Sequence, residues 1–232
     1  MEFSAEGPKA IPLWINGRAF LTVTDAFFDV TNPVSGESIH CVPLCGASEA
    51  AEAVGAAQAA QPAWAMMGMP ARRLYLSRLG DALEGYSGHF AKLLKEECGF
   101  DEARATAEVS DAVAALHGAS VGETGVFGLI LDASRPLAGL AETIGPALMA
   151  GATVIVKPSP KAPSAVYALC ELSGRTEWPA GVLNLLQGDL AAIKGLCASG
   201  IDRLVYVGEA ALGGQVGAIA EAAGMPFEMK TA

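Results

Sequence analysis

No run of this 232-residue chain is uniformly apolar over the roughly 18 residues that a membrane span needs, although 52% of its residues are hydrophobic. No membrane is therefore expected as a partner. Lysine and arginine number 15 against 25 aspartates and glutamates, for a formal net charge of −10, and the basic residues nowhere cluster. Such a surface has little hold on a polyanion, which excludes nucleic acid and anionic bilayers as partners. Five cysteines, an odd number without framework spacing, argue against a disulfide scaffold and for reduced thiols in a cytoplasm. His40, Cys41 and Cys45 lie close together, but His89 and His117 are far along the chain and further ligands are missing nearby, so no metal is expected. No Gly-x-Ser-x-Gly occurs to support Ser-His-Asp chemistry. The opening MEFSAEGPKA has neither the basic region nor the apolar core of a secretory leader, which agrees with a cytoplasmic location. Charged residues make up only 17%, which leaves apolar surface for a partner to cover.

What is present is organised around residues 125–163, GVFGLILDASRPLAGLAETIGPALMAGATVIVKPSPKAP. A short apolar strand over 125–131, a helix over about 137–149 and a second strand over 153–156 make one βαβ unit. Nearly continuous apolar strands are buried on both faces, which places them in a parallel sheet with helices above and below. The ligand edge of such a sheet is where its strands end, so 132–136 and 157–160 sit where chemistry would sit.

Upstream, 13–20 reads as a hairpin turning at Asn16-Gly17, and 28–32 and 37–43 as a second strand pair around Pro33-Val34-Ser35-Gly36. Ser48 is the expected N-cap of an Ala-rich helix running to about Met67. Pro70 opens another helix through Tyr86, and a third follows to about Gly118, with Trp64 expected in the core. Downstream, helices over 164–173 and 190–198 alternate with strands over 181–187 and 203–207. A helix from the Gly208 turn to Ala223 and a strand over 225–229 close the chain. The fold class is α/β, a doubly wound Rossmann-like parallel sheet of five strands and four helices with an N-terminal β-hairpin and helical segment. Residues 1–232 are expected to form a single unit, with hairpins and helices over 1–124 and the βαβ sheet over 125–232.

These motifs resemble the aldehyde dehydrogenase superfamily from Trp14 to Met229. Asp132-Ala133-Ser134-Arg135-Pro136-Leu137 stands where the family usually carries Pro-Trp-Asn-Phe-Pro-Leu, and Lys157-Pro158-Ser159-Pro160 stands for its Lys-Pro-Ser-Glu. Asn32-Pro33-Val34-Ser35-Gly36, Gln61-Pro62-Ala63-Trp64 and Arg72-Arg73 follow the family's habit as well. At 117–124, HGASVGET replaces a longer segment whose strands pair subunits in most members, which implies a different assembly.

The resemblance implies candidate roles. Lys157 matches a residue that helps hold the adenosine ribose of NAD(P), Ser159 is a cofactor-binding candidate in the same run, and Gly208 and Gly213 match the turn that seats pyrophosphate at a helix N-terminus. Without the resemblance, Lys157 is equally a solvated lysine at a strand end, and the glycines equally serve a tight turn and close helix packing. Pro160 offers no carboxylate to the ribose, and Glu209 would repel pyrophosphate: unit charges ~4 Å apart at an effective dielectric near 20 interact by about 4 kcal/mol. Ser134 falls at the family's oxyanion asparagine and Glu228 at its general base, both as degenerate positions, and no cysteine here matches the family's nucleophile. These changes lead to the expectation of a non-catalytic subunit without cofactor, a structural or regulatory partner of another protein chain, such as an enzyme subunit, or of its own copies. The alternative is the NAD- or NADP-binding subunit of a split aldehyde dehydrogenase-type oxidoreductase whose nucleophile lies on another chain. A changed ligand, such as a nucleoside or acyl-CoA, or a truncated product without a role, are further alternatives.

Overall fold

The computed structural model describes residues 9–24 and 26–231, so the leader reading of the first residues lies largely outside them. Five short strands open the chain: β1 (Lys9–Ala10), β2 (Leu13–Ile15), β3 (Arg18–Phe20), β4 (Phe27–Thr31) and β5 (Ser38–Pro43). Four helices follow: α1 (Ala47–Met66), α2 (Met69–Gly85), α3 (Ser87–Cys98) and α4 (Glu102–His117). Then strands and helices alternate: β6 (Val126–Leu131), α5 (Ala138–Ala150), β7 (Thr153–Lys157), α6 (Ser164–Arg175), β8 (Leu183–Leu185), α7 (Leu190–Ala198), β9 (Arg203–Gly208), α8 (Ala210–Ala222) and β10 (Phe227–Thr231).

The main sheet runs β10-β9-β6-β7-β8-β2-β3. Its first five strands are parallel, and the order reverses direction at β6, which is the doubly wound arrangement the alternation predicted. The β2–β3 hairpin extends this sheet, antiparallel to β8, and the sheet is therefore mixed. Asn16 (φ 53°) and Gly17 (φ 73°) supply the two positive φ angles of its tight turn. Asn184, fully buried, accepts the Asn16 N–H at 3.0 Å and ties the turn to β8. β1, β5 and β4 form a separate small sheet.

The continuous apolar strands are explained by two cores. Phe127, Leu129 and Leu131 of β6 and Val205 and Val207 of β9 point to the side of α2, α4, α5 and α6. Val126, Ile130, Leu204 and Tyr206 point to the other side, against α1, α7 and α8. Alternate residues serve opposite faces, so polar residues are left to the strand ends. Trp64 stacks on Trp178 with centroids 5.6 Å apart, and its Nε1–H donates to the Leu148 carbonyl.

Helix α5 is buried along most of its surface, with Glu142 exposed, and both of its ends receive side chains from neighbouring helices. Glu108 of α4 accepts the Leu137 and Ala138 N–H groups, and Arg72 of α2 donates to the Met149 carbonyl at 2.9 Å. Glu97 of α3 does the same for α6, accepting the Ser164 N–H at 2.9 Å and its hydroxyl. The N-terminal helices thus hold the sheet's helices by long polar side chains that satisfy open N–H and carbonyl groups at their ends.

Two local expectations are corrected. The N-cap of α1 is Gly46 rather than Ser48, and Glu49 reaches back to accept the Gly46 N–H at 3.0 Å. The single helix expected from Tyr86 to Gly118 is two helices. Gly99 ends the first in the left-handed region (φ 68°), and the Asp101 carboxylate caps the second on the Arg104 N–H. Residues 117–124 hold no strand, in keeping with the short junction.

Candidate functional site

At the C-terminal ends of the parallel strands, where the order reverses between β6 and β9, lies a cleft of about 610 Å³. The sheet places one loop after β6 and one after β7 on its floor, and the first turns of α7 and α8 form a wall. Ser134, Lys157, Ser159, Pro160 and Glu209 all line it, so the topology brings together five of the positions marked in the sequence.

Lys157 is not a solvated lysine. It ends β7 with only 4% of its surface exposed, and burial pushes its ammonium down to about 8, against a smaller upward pull from Asp189. Among the described residues its Nζ donates one hydrogen bond, to the Pro158 carbonyl at 2.9 Å. An ammonium carries three donors, so the cleft holds a buried cation with donor capacity to spare. Ser159 accepts the Lys161 N–H at 3.3 Å, which shapes the turn beside it.

Asp132, the first residue after β6, is buried and its carboxylate collects three donors and part of a fourth. One oxygen takes the Ser134 N–H at 2.8 Å and the Ser134 hydroxyl; the other takes the Glu209 N–H at 2.6 Å, and the Tyr206 hydroxyl shares its one proton between this oxygen at 3.2 Å and the Glu209 carbonyl at 3.0 Å. Burial first, then the Asp132 charge, pushes the Tyr206 hydroxyl up. Gly208, with φ 150°, makes this approach possible: a Cβ there would lie 2.2 Å from the Asp132 carboxyl carbon. Glu209 is the N-cap residue of α8, yet its own side chain makes no capping bond. The anion seated at the N-terminus of α8 is therefore Asp132, where the sequence pointed to Glu209.

Gly213 packs α8 on the sheet, since a Cβ would fall 2.4 Å from the Met229 sulfur and 2.9 Å from the Tyr206 ring. Glu228 is not brought to the cleft. It sits in β10 opposite Val205, with Arg203 Nη1 at 3.5 Å and Lys230 Nζ at 3.7 Å. Among the described residues no cysteine lines the cleft, and burial pushes the Cys45 and Cys98 thiols up to about 12.

The sequence had not marked the remainder of the wall. Leu190 and Ile193 of α7 and Leu212 and Val216 of α8 give the cleft that Lys157 lines an apolar slot, and Asp189 lines it as well. Asp189 was findable as an N-cap, because its carboxylate accepts the Ala191 N–H at the start of α7. Arg104 arrives from α4 and donates to the Ser134 carbonyl at 3.1 Å.

Comparison with known proteins agrees with this geometry. A model of the aldehyde dehydrogenase family matches residues 20–121 and 123–231. The chain is 30% identical over 227 residues to the succinate-semialdehyde dehydrogenase (NADP+) GabD of Escherichia coli, an alignment that covers 87% of this chain and 47% of that protein. It is 32% identical over 228 residues to an N-succinylglutamate 5-semialdehyde dehydrogenase of Salmonella heidelberg, covering 88% and 46%. The chain thus spans about half the length of the curated relatives it matches. Among solved structures, lactaldehyde dehydrogenase from Escherichia coli superposes with a TM-score of 0.91 at 23% identity, over 97% of this chain and 53% of that one. A mutant aldehyde dehydrogenase C from Pseudomonas syringae, complexed with NAD+ and octanal, gives 0.90 at 24% identity, over 97% and 50%.

One expectation is overturned here. A chain without cofactor was anticipated from Pro160 and Glu209, but GabD is named for NADP+ and the Pseudomonas syringae structure holds NAD+. The two changed letters carried too much weight, because the Glu209 side chain is exposed and caps nothing, while Lys157 is kept and buried.

Proposed function

The chain belongs to the aldehyde dehydrogenase family, and from that premise we propose that it is the nucleotide-binding portion of an aldehyde dehydrogenase-type oxidoreductase. It holds NAD or NADP in the cleft at the C-terminal ends of β6, β7 and β9. The observation that carries this reading is Lys157, a buried ammonium with unused donors in a cleft that two helices line with apolar side chains.

The residues fit the adenosine end of such a cofactor. Leu190, Ile193, Leu212 and Val216 offer apolar walls to a flat base, and Lys157 and Ser159 offer donors to ribose hydroxyls. At the other end the N-terminus of α8 already holds the Asp132 carboxylate. When bound, the nicotinamide would accept a hydride from the substrate carbon. The part of this chain is to bind and orient: the apolar slot excludes water from the base, and Lys157 fixes the ribose from beneath.

Titration with NADH and NADPH by fluorescence or calorimetry tests the proposal. Saturable binding that Lys157→Met weakens by at least about tenfold is expected, for the loss of a charge-assisted hydrogen bond. Absence of binding by the wild-type chain refutes it.

A second reading, a structural or regulatory partner of an enzyme that retains nucleotide only weakly, draws support from the same Asp132 carboxylate. The native mass of the purified chain tests it. A second protein in constant ratio supports that reading, whereas a chain that purifies alone and binds NAD(P)H tightly refutes it.

A further inference from the structure

The N-terminus of a helix attracts anions, because its first N–H groups lack intrahelical partners and carry the positive end of the helix dipole. In a doubly wound sheet this end of the helix after β9, at the switch point, faces the cleft where a phosphate would lie. Here one of those groups, the N-cap N–H of Glu209, is taken from within, while those of Ala210, Ala211 and Leu212 have no acceptor among the described residues. Asp132 reaches across Gly208, where no Cβ fits, and its carboxylate accepts the Glu209 N–H at 2.6 Å. Ser134 holds the other carboxylate oxygen through its N–H and its hydroxyl, so three donors fix the side chain, and Tyr206 stands 3.2 Å from the first oxygen. The apolar slot and Lys157 lie beyond this contact in the same cleft and are left open.

Resting on the cofactor reading above, we infer that Asp132 is an internal anion that sets the specificity of the cleft: it favours the uncharged adenosine end of a ligand and, by its charge beside the N-terminus of α8, weakens that helix's hold on phosphates. The carboxylate and a pyrophosphate are like charges competing for one helix end. At contact distance, in partly desolvated surroundings, their repulsion cancels what the dipole would contribute. In the wild-type chain, therefore, the phosphates add little to affinity. Asp132→Asn keeps the shape and one acceptor for the Glu209 N–H but removes the charge.

Calorimetric titration of the wild-type chain and of Asp132→Asn with adenosine, ADP-ribose and NADH tests this. Expected for the wild type are dissociation constants for adenosine and ADP-ribose within about threefold of each other. For Asp132→Asn, ADP-ribose and NADH should tighten by at least about tenfold while adenosine stays within about twofold, since only the phosphate-bearing ligands meet the lost charge. A merely structural role would move all three ligands together, and that result overturns the inference. So does an unchanged or weaker affinity of Asp132→Asn for ADP-ribose; wild-type binding of NADH would then leave the cofactor reading intact. The wild-type pair decides the question even if the variant fails to fold, because ADP-ribose binding more than about tenfold tighter than adenosine overturns the inference without it. If neither protein binds any of the three ligands, the cofactor reading fails, and this inference with it.

Discussion

Glu97 offers the sharpest test of how the N-terminal helices hold the sheet. Its carboxyl is 5% exposed, accepts the Ser164 N–H at 2.9 Å and its hydroxyl, and caps α6 from α3. Burial pushes it from 4.5 up to about 7, outweighing the two hydrogen bonds that favour the charged form. The sign follows from linkage. Between those two values the folded chain keeps a proton that the unfolded chain has released, so stability falls as pH rises through the window and is lowest above pH 7. The full span amounts to about 3 kcal/mol. Glu97→Gln keeps the length and the acceptor for the Ser164 N–H but cannot ionise, so its stability lacks this component of the slope. Urea unfolding of both proteins at half-unit steps from pH 4.5 to 8 isolates the effect, since every other titrating group is common to both. The wild type should lose about 3 kcal/mol relative to Glu97→Gln across the series, or roughly 6–12 °C in Tm for a chain of this size. Parallel curves for the two proteins would refute the reasoning, for they would mean that the Ser164 donors hold the carboxylate charged at its ordinary value.

Three further outcomes are expected. Lys157→Met removes a buried ammonium pushed down to about 8, so the ligand-free chain should gain about 1–3 kcal/mol at pH 7 while losing nucleotide affinity; a lower urea midpoint would contradict this. Binding of NADH by the wild type should weaken as pH rises through about 8, where Lys157 gives up its proton, and a flat profile to pH 9.5 would separate Lys157 from the ligand. Gly208→Ala puts a Cβ 2.2 Å from the Asp132 carboxyl carbon at φ 150°, and should cost about 2–4 kcal/mol by thermal melting. Unchanged melting would show that Asp132 does not make this approach.

What the sequence determined by itself was whatever repeats along the chain with a local period. The apolar runs of β6, β7 and β9, the helices between them and the Asn16-Gly17 turn are legible, because burial on two faces leaves polar letters only at the strand ends and because a tight hairpin needs positive φ. The break between α3 and α4 was legible too, in Gly99 followed by Asp101, although the run of helix-forming residues on either side hid it. Tertiary structure alone decided the contacts that join segments distant along the chain. The β2–β3 hairpin docks antiparallel on β8 through Asn184, Glu108 and Glu97 close helix starts that lack side-chain caps of their own, and Arg72 adds a donor at the end of α5. The site followed the same division. Lys157 announces itself at a strand end, but the apolar slot exists only once α7 and α8 lie side by side, and the residues that line it carry no mark in sequence. The residue on the helix N-terminus could not be told from its neighbour, because Asp132 and Glu209 are equally acidic letters. Only the path of the backbone past Gly208 settles which carboxylate reaches α8.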